Sequence, residues 1–370
     1  MDFDFSDEQM QLRDAVQRWA ERSYGFERRR AIAAAGGFDT NVWRELTELG
    51  LTGLTIPTAH GGMGLGAVEA MVAHEALGAS LLLEPLLPLH VAAAVLQHHA
   101  DAAAQAAWLP RLAEGTLVVL AHVERHGHHR LDACTTTAVA DGATWRLSGR
   151  KHVVPAGDHA AAWLVPARLD GALALFGVER GAPGTSVTGY PTQDGSRAAE
   201  VVLDNAPGQL VCRDGAAALA WAQDVGIALV AAQAVGVMDR TLALTLEYLN
   251  TRKQFGVPIG SFQALRHRAA DMKMALELAR GMSMYATLRL AAPEAQRRQA
   301  LARTKVQVGQ SMRFVGQQAV QLHGGIGVTD EYLVSHCFKR LTQLELTFGD
   351  TLHHLGEVAA RMTDEAGVAA

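Results

Sequence analysis

Cysteine is scarce in this chain, with three among 370 residues, at Cys134, Cys212 and Cys337. They are odd in number and far apart, so they offer neither a disulfide framework nor a Cys-x-x-Cys metal site. Reduced thiols in a cytoplasmic protein are the expectation. The chain also lacks a long basic run and carries a formal net charge of −5. Both argue against nucleic acid as a main ligand. No stretch reaches the roughly 18 uninterrupted apolar residues of a membrane span, so no membrane partner is expected. The first residues, MDFDFSDEQMQ, are acidic rather than basic-then-apolar, and no secretory signal is expected. Internal repeats and low-complexity tracts are missing too, apart from Ala-rich helix faces.

What is present is hydrophobic material, 49% of residues, in a length that suits two or three domains. Ser6 is an N-cap candidate with Gln9 three residues on, and Phe5 and Met10 are spaced as a hydrophobic staple. Helical patterns cover about Asn41–Leu49, Ala67–Gly78 and Leu86–Leu109. The pattern changes near Leu117. Short apolar runs at Val118–Val123, Cys134–Val139, Trp145–Leu147, Ala161–Ala167, Leu173–Val178 and Glu200–Leu203 read as strands. Asp141-Gly142, Asp170-Gly171 and Asp194-Gly195 are turn signals. From Ala216 the pattern is helical again. Ala216–Asn250 reads as one long helix, tolerating Gly226 and Gly236 at some cost in propensity. Ser261–Leu290, Pro293–Leu322 and Glu331–Arg361 read as three more. The expected domains are 1–117 helical, 118–213 β and 214–370 helical.

The most informative stretch is TRKQFGVPIGSFQALRHRAADM, residues 251–272. Arg252, Gln254 and Phe255 place a guanidinium, an amide and an aromatic ring within four residues at a helix end. Such a cluster suits a nucleotide, with Arg on phosphate and Phe against adenine. The alternative is a basic helix C-terminus matching the helix dipole, followed by a Gly-Pro loop. Ser261 is an N-cap candidate for the next helix. Two further motifs accompany this one: Gln321-Leu322-His323-Gly324-Gly325-Ile326-Gly327, and Leu49-Gly50 leading to Gly53, Pro57 and Gly61-Gly62-Met63-Gly64.

In order and spacing these three motifs resemble the acyl-CoA dehydrogenase family over almost the whole chain. The resemblance implies an α+β multidomain fold: an N-terminal helical domain, a middle β-barrel or sandwich domain and a C-terminal four-helix bundle. It implies α,β-dehydrogenation of an acyl-CoA thioester, in fatty acid or steroid side-chain or ring catabolism. FAD takes the hydride and an electron-transfer flavoprotein is the implied acceptor. A carboxylate removes the proton from Cα, whose acidity rises when the thioester carbonyl is hydrogen-bonded away from water. By resemblance, Arg252 pairs with the FAD pyrophosphate, Gln254 adds a polar contact and Phe255 packs on the adenosine half. Gln321, Gly324 and Gly325 approach the same half. In the family these groups reach into a neighbouring subunit's FAD, so a tetramer is implied.

Other positions depart from the family. Its T-E-P-G-x-G-S-D loop, which lines flavin and substrate, corresponds here to Glu124-Arg125-His126-Gly127-His128-His129-Arg130. Its W-I-T beside the flavin ring corresponds to Val153, Val154 and Pro155. The usual Glu base corresponds to Phe348 before Gly349, and the alternative base position on the long helix to Gly226. Asp224, Glu345 and Asp350 are the nearby carboxylates. No metal site is expected: His126, His128 and His129 lack a completing ligand, and adjacent pairs such as His353-His354 point in different directions. Three readings remain open. The chain is a base-lacking subunit working with a related partner that supplies the base, an active homotetramer with a displaced carboxylate, or a non-catalytic acyl-CoA-binding scaffold. The acyl group is open as well.

Overall fold

The computed structural model describes residues 4–142 and 144–366. Helices come first: α1 (Asp7–Ser23), α2 (Phe26–Ala34), α3 (Thr40–Glu48), α4 (Ala67–Ala79), α5 (Leu86–His99) and α6 (Ala102–Ala113). Seven strands follow: β1 (Val118–Leu120), β2 (Thr137–Asp141), β3 (Thr144–Pro155), β4 (Ala162–Leu169), β5 (Ala172–Glu179), β6 (Thr185–Pro191) and β7 (Arg197–Cys212). The chain then runs through α7 (Gly215–Thr251), a hairpin of β8 (Lys253–Gln254) and β9 (Val257–Pro258), α8 (Gln263–Arg289), α9 (Glu294–His323), α10 (Leu333–Leu346) and α11 (Thr351–Ala366). This is the expected order of a helical part, a β part and a second helical part.

Two compact units emerge. One comprises Met1–Arg29, Ala67–Leu82 and Ile227–Ala370, and the other Arg30–Gly66 and Leu83–Gly226. In the first, α1 starts at a capping box: Gln9 N–H donates to Ser6 Oγ, and Ser6 N–H donates back to Gln9 Oε1. Each bond satisfies an amide that the helix leaves without a partner. Phe5 does not staple to Met10. It packs on the cluster of Met71, Val72 and Ala232, while Met10 stays exposed. The crossing of α4 and α7 is close enough to need glycine. A Cβ on Gly236 would lie 1.9 Å from the Glu75 carbonyl oxygen, and one on Gly78 2.3 Å from that of Gln233. Gly236 is thus a packing requirement.

Helix α7 is long and apolar enough to cross a membrane, yet 83% of its most apolar window is buried inside the protein. Ala228 sits with Ala286 and Ala300, and Ala232 with Met71 and Val72. The small residues of α7 therefore serve helix packing. Two stretches read as single helices are each broken in two. Leu86–Leu109 divides at Ala100-Asp101, where Asp101 caps α6 by accepting from Ala104 N–H. Glu331–Arg361 divides at Thr347–Asp350. Ser261 is not a cap: its hydroxyl donates to the Pro258 carbonyl, and α8 begins after Phe262.

In the second unit the strands close on themselves. β4 pairs with β2, β2 with β3, β3 with β7, β7 with β5, and β5 with β4 again. β1 extends the β4 edge in parallel and β6 flanks β7. Closure removes the open edges that an exposed sheet would present. Asp170 (φ 51°) and Gly171 (φ 85°) form the two-residue turn between β4 and β5, as an Asp-Gly pair favours. Inside this unit lies an ion pair, Lys151 Nζ to Glu124 Oε1 at 2.7 Å, with Lys151 0% and Glu124 7% exposed. The Glu124 carboxylate also accepts from the amides and hydroxyls of Thr135 and Thr136.

Candidate functional site

The segment at 252–258 folds as a short hairpin after the end of α7, in place of the Gly-Pro loop of the alternative reading. Arg252 ends α7, with its N–H donating to the Tyr248 carbonyl and its own carbonyl accepting from Ile259 N–H. β8 and β9 then pair Lys253 with Pro258 and Gln254 with Val257. Phe255 (φ 54°) and Gly256 (φ 79°) form the turn. Two successive residues at positive φ fit the twist of a two-residue hairpin, which is why glycine takes one place. Phe255 is held at the tip, 91% exposed, edge-on to Phe262 at 6.0 Å. Residues 251–258 are all exposed. The Gln254 amide donates to the Lys253 carbonyl, and the Arg252 guanidinium has no hydrogen bond or ion pair among the described residues.

The second motif ends α9. Gln321 is exposed, and His323 is buried below it. The His323 ring stacks on Tyr248 of α7 at 4.5 Å and lies 5.2 Å from Tyr332. This stack ties the turn after α9 to the end of α7, one turn before Arg252. It therefore brings Gln321, Gly324 and Gly325 onto the same end of the unit as Arg252, Gln254 and Phe255. Gly324 (φ 64°, ψ −141°) occupies a region that side chains exclude. Gly325 has nothing within 4 Å of an added Cβ. Its own chain gives it open space, which suits close approach of an outside group.

The two positions that the resemblance assigns to the base are occupied by Gly226 and Phe348. Phe348 packs against the cluster containing Ile227 and Ala228, next to Gly226 on α7. The turn carrying Phe348 has left-handed backbone at Phe348 (φ 58°) and Gly349 (φ 95°). It is clamped from two sides. Lys305 of α9, 1% exposed, donates to the carbonyls of Leu344, Glu345 and Gly349 at 3.2, 2.6 and 2.7 Å. His354 Nε2 reaches the Phe348 carbonyl at 2.8 Å. Burial pushes the Lys305 ammonium down to about 7.

The neighbouring carboxylates are engaged. Glu345 Oε1 accepts from the N–H and hydroxyl of Thr351. Asp350 caps α11 by accepting from His353 N–H at 2.7 Å. Asp224 is 1% exposed within α7.

On the β side, Glu124 turns inward to Lys151, while His126 and His128 are exposed. Sequence reasoning placed Glu124 in a ligand-lining stretch and did not pair it with Lys151, which lies 27 residues away. Val153, beside the register shift in β3, takes φ 48° and is half exposed. A β-branched residue seldom adopts that backbone. The Val153 and Pro155 side chains carry no donor for a flavin ring.

A helical–β–helical chain with this exposed Arg–Gln–Phe hairpin and Gly-Gly turn has the build of a flavin-dependent acyl-CoA oxidoreductase. The family profile for the acyl-CoA dehydrogenase N-terminal domain matches residues 6–116, and that for the C-terminal domain matches residues 213–363. The chain is 32% identical over 354 residues to acyl-CoA dehydrogenase FadE12 of Mycobacterium tuberculosis, covering 89% of each. It superposes on a steroid acyl-CoA dehydrogenase variant, Tcur3481-Tcur3483, with TM-score 0.90 and 31% identity, over 98% of this chain and 99% of that one. The ChsE4-ChsE5 complex of M. tuberculosis gives TM-score 0.90 and 28% identity over the same shares. The chain belongs to the acyl-CoA dehydrogenase family, oxidoreductases acting on CH–CH bonds.

Proposed function

We propose that this chain is the base-lacking subunit of a hetero-oligomeric acyl-CoA dehydrogenase. The observation that carries the reading is the contrast between two places on the chain. The adenosine-side groups are present and exposed, whereas the two base positions hold Gly226 and Phe348, the latter packed into a hydrophobic cluster. A phenyl ring takes no proton from Cα.

Arg252 makes charge-assisted bonds to the FAD pyrophosphate, and Phe255 packs on the adenosine half. Gln254 and Gln321 add polar contacts, and Gly324 and Gly325 let the backbone approach. When bound, FAD accepts the hydride from Cβ of the acyl-CoA. A related subunit supplies the carboxylate and the ring contacts, and an electron-transfer flavoprotein takes the electrons. The engagement of Glu345 with Thr351 and of Asp350 with His353 N–H weighs against a displaced base in a homotetramer. The steroid dehydrogenase and the two-component ChsE4-ChsE5 complex, both structurally similar, support a bulky acyl-CoA ester and an unlike partner.

Flavin content tests this directly. The chain purified alone should carry little FAD. Co-expressed with a related subunit that retains its Glu, it should give about one FAD per unlike pair. Arg252→Ala should strip flavin from that complex. A yellow, fully flavinated homotetramer that oxidises acyl-CoA unaided would sink the proposal.

A further inference from the structure

We infer that the first turns of α11 hold a divalent transition-metal site formed by His353, His354 and Glu357. Adjacent histidines on a helix are poor chelators by themselves. With about 100° per residue, however, Glu357 lies about 40° round from His353 and about 60° from His354, between the two. The structure realises this. Ligand atoms of the three side chains all lie within 4.8 Å of one another. His353 Nε2 is 3.5 Å from Glu357 Oε1, and His354 Nδ1 is 3.6 Å from Glu357 Oε2. Those separations are long for hydrogen bonds. They lie close to the edge, about 3.3–3.4 Å, of a tetrahedron whose ligands sit about 2.0–2.1 Å from zinc.

His354 supplies the independent observation. It is 1% exposed. Its Nε2 lies 2.8 Å from the Phe348 carbonyl, which can only accept, so the ring proton is on Nε2. In the neutral imidazole Nδ1 then presents a lone pair, and it is buried with no hydrogen bond from the described residues. A histidine that donates one ring N–H to a backbone carbonyl while its other nitrogen faces a carboxylate is arranged as metal-binding histidines are. Gly349 completes the fit: a Cβ there would lie 2.6 Å from His354 Nε2 and 2.8 Å from His353 Cδ2. Arg298 also acts electrostatically on Glu357. Two imidazoles and one carboxylate favour zinc or cobalt over magnesium or calcium. Three protein ligands leave a fourth position for water. A bound ion would tie α11 to the Phe348 turn through the His354–Phe348 bond. The site is independent of the subunit assignment above.

Zinc and cobalt themselves are the probes, titrated into the full chain after chelator treatment. The wild-type chain should bind one equivalent of Zn2+, and the Co2+ form should show intense tetrahedral absorption, with no response to Mg2+. Glu357→Gln and His354→Ala should each weaken binding by more than the roughly 10–100-fold that outer-shell changes cost. His126→Ala/His128→Ala should bind as wild type. If His354→Ala fails to fold, Glu357→Gln, on a partly exposed residue, decides alone. Absence of stoichiometric zinc in the wild type, or equal binding by Glu357→Gln, overturns the site.

Discussion

Replacing Lys151 by methionine offers a demanding test of the β unit. Lys151 Nζ donates to Glu124 Oε1 at 2.7 Å and to the Pro166 carbonyl at 2.8 Å, and lies 3.5 Å from Cys134 Sγ. Lys151→Met fills a similar volume but leaves the Glu124 carboxylate buried without its cation. Removing one partner of a buried pair costs about 3–5 kcal/mol. That is a large share of the roughly 5–15 kcal/mol by which a protein is stable. Lys151→Met/Glu124→Gln removes the stranded charge, and the single amide oxygen still accepts from one of the two threonines. The double variant should therefore recover about 2 kcal/mol of the loss.

The pH dependence has a definite sign. In the wild type, burial pushes the Glu124 carboxyl up, but Lys151 and the threonine donors outweigh it and hold it below the ordinary range. That stability is present above the ordinary carboxylate value of about 4 and is lost as pH falls through the folded value. Without Lys151, burial dominates and the folded value rises above the unfolded one. The Lys151→Met penalty should then be smallest near pH 5 and grow towards pH 8. Urea unfolding, followed by tryptophan fluorescence, measures all three chains at both pH values. A Lys151→Met chain within about 0.5 kcal/mol of wild type, or a double variant no better than the single, refutes the argument.

Further expectations concern packing, the Phe348 turn and the hairpin. Helix propensity alone predicts that Gly236→Ala gains up to about 1 kcal/mol. The Glu75 carbonyl in its way predicts a loss of about 1–3 kcal/mol instead, read as a lower urea midpoint. Lys305→Met leaves three carbonyls without their donor, at about 1–3 kcal/mol for each that water does not reach. Because the Lys305 ammonium sits at about 7 in the fold, below its unfolded value, the advantage of wild type over Lys305→Met should rise with pH from about 7 to about 10.5. Ser6→Ala removes the α1 cap and should cost about 1 kcal/mol by thermal or urea unfolding. Phe255→Ala should leave stability within about 0.5 kcal/mol while lowering flavin retention in the co-expressed complex.

Much of the architecture was legible because hydrophobic pattern alone carries it. Ala162–Leu169 is a near-continuous apolar run and lies buried in the barrel as β4. The apolar α7 read as one helix because no proline interrupts it. The breaks were harder. At Thr347–Asp350 the helical pattern continues through Phe348, and neither the left-handed turn nor the Lys305 clamp leaves a local trace. Strand β6 went unread because exposed residues dominate it. The Glu124–Lys151 pair joins residues that only the pairing of β strands brings together. The His353–His354–Glu357 spacing was readable, but adjacency on a helix argued against it until the Phe348 carbonyl fixed the ring of His354.

Phe255-Gly256 and Phe348-Gly349 are the same local device put to opposite use. Each is a phenylalanine and a glycine in succession at positive φ, 54° and 79° in one, 58° and 95° in the other. A non-glycine residue held there costs of order 1 kcal/mol, so each turn needs a compensating contact. At Phe348 the compensation is internal: its ring joins the cluster of Ile227 and Ala228, and Lys305 and His354 hold its flanking carbonyls. At Phe255 the chain supplies a two-residue strand pair and an edge contact with Phe262, and the ring remains in solvent. Covering one face of that ring with a flat aromatic group such as adenine would recover on the order of 1 kcal/mol. The deficit at Phe255 is thus of the size that contact with an outside flat ring makes good, whereas the Phe348 turn is already held by contacts within its own chain.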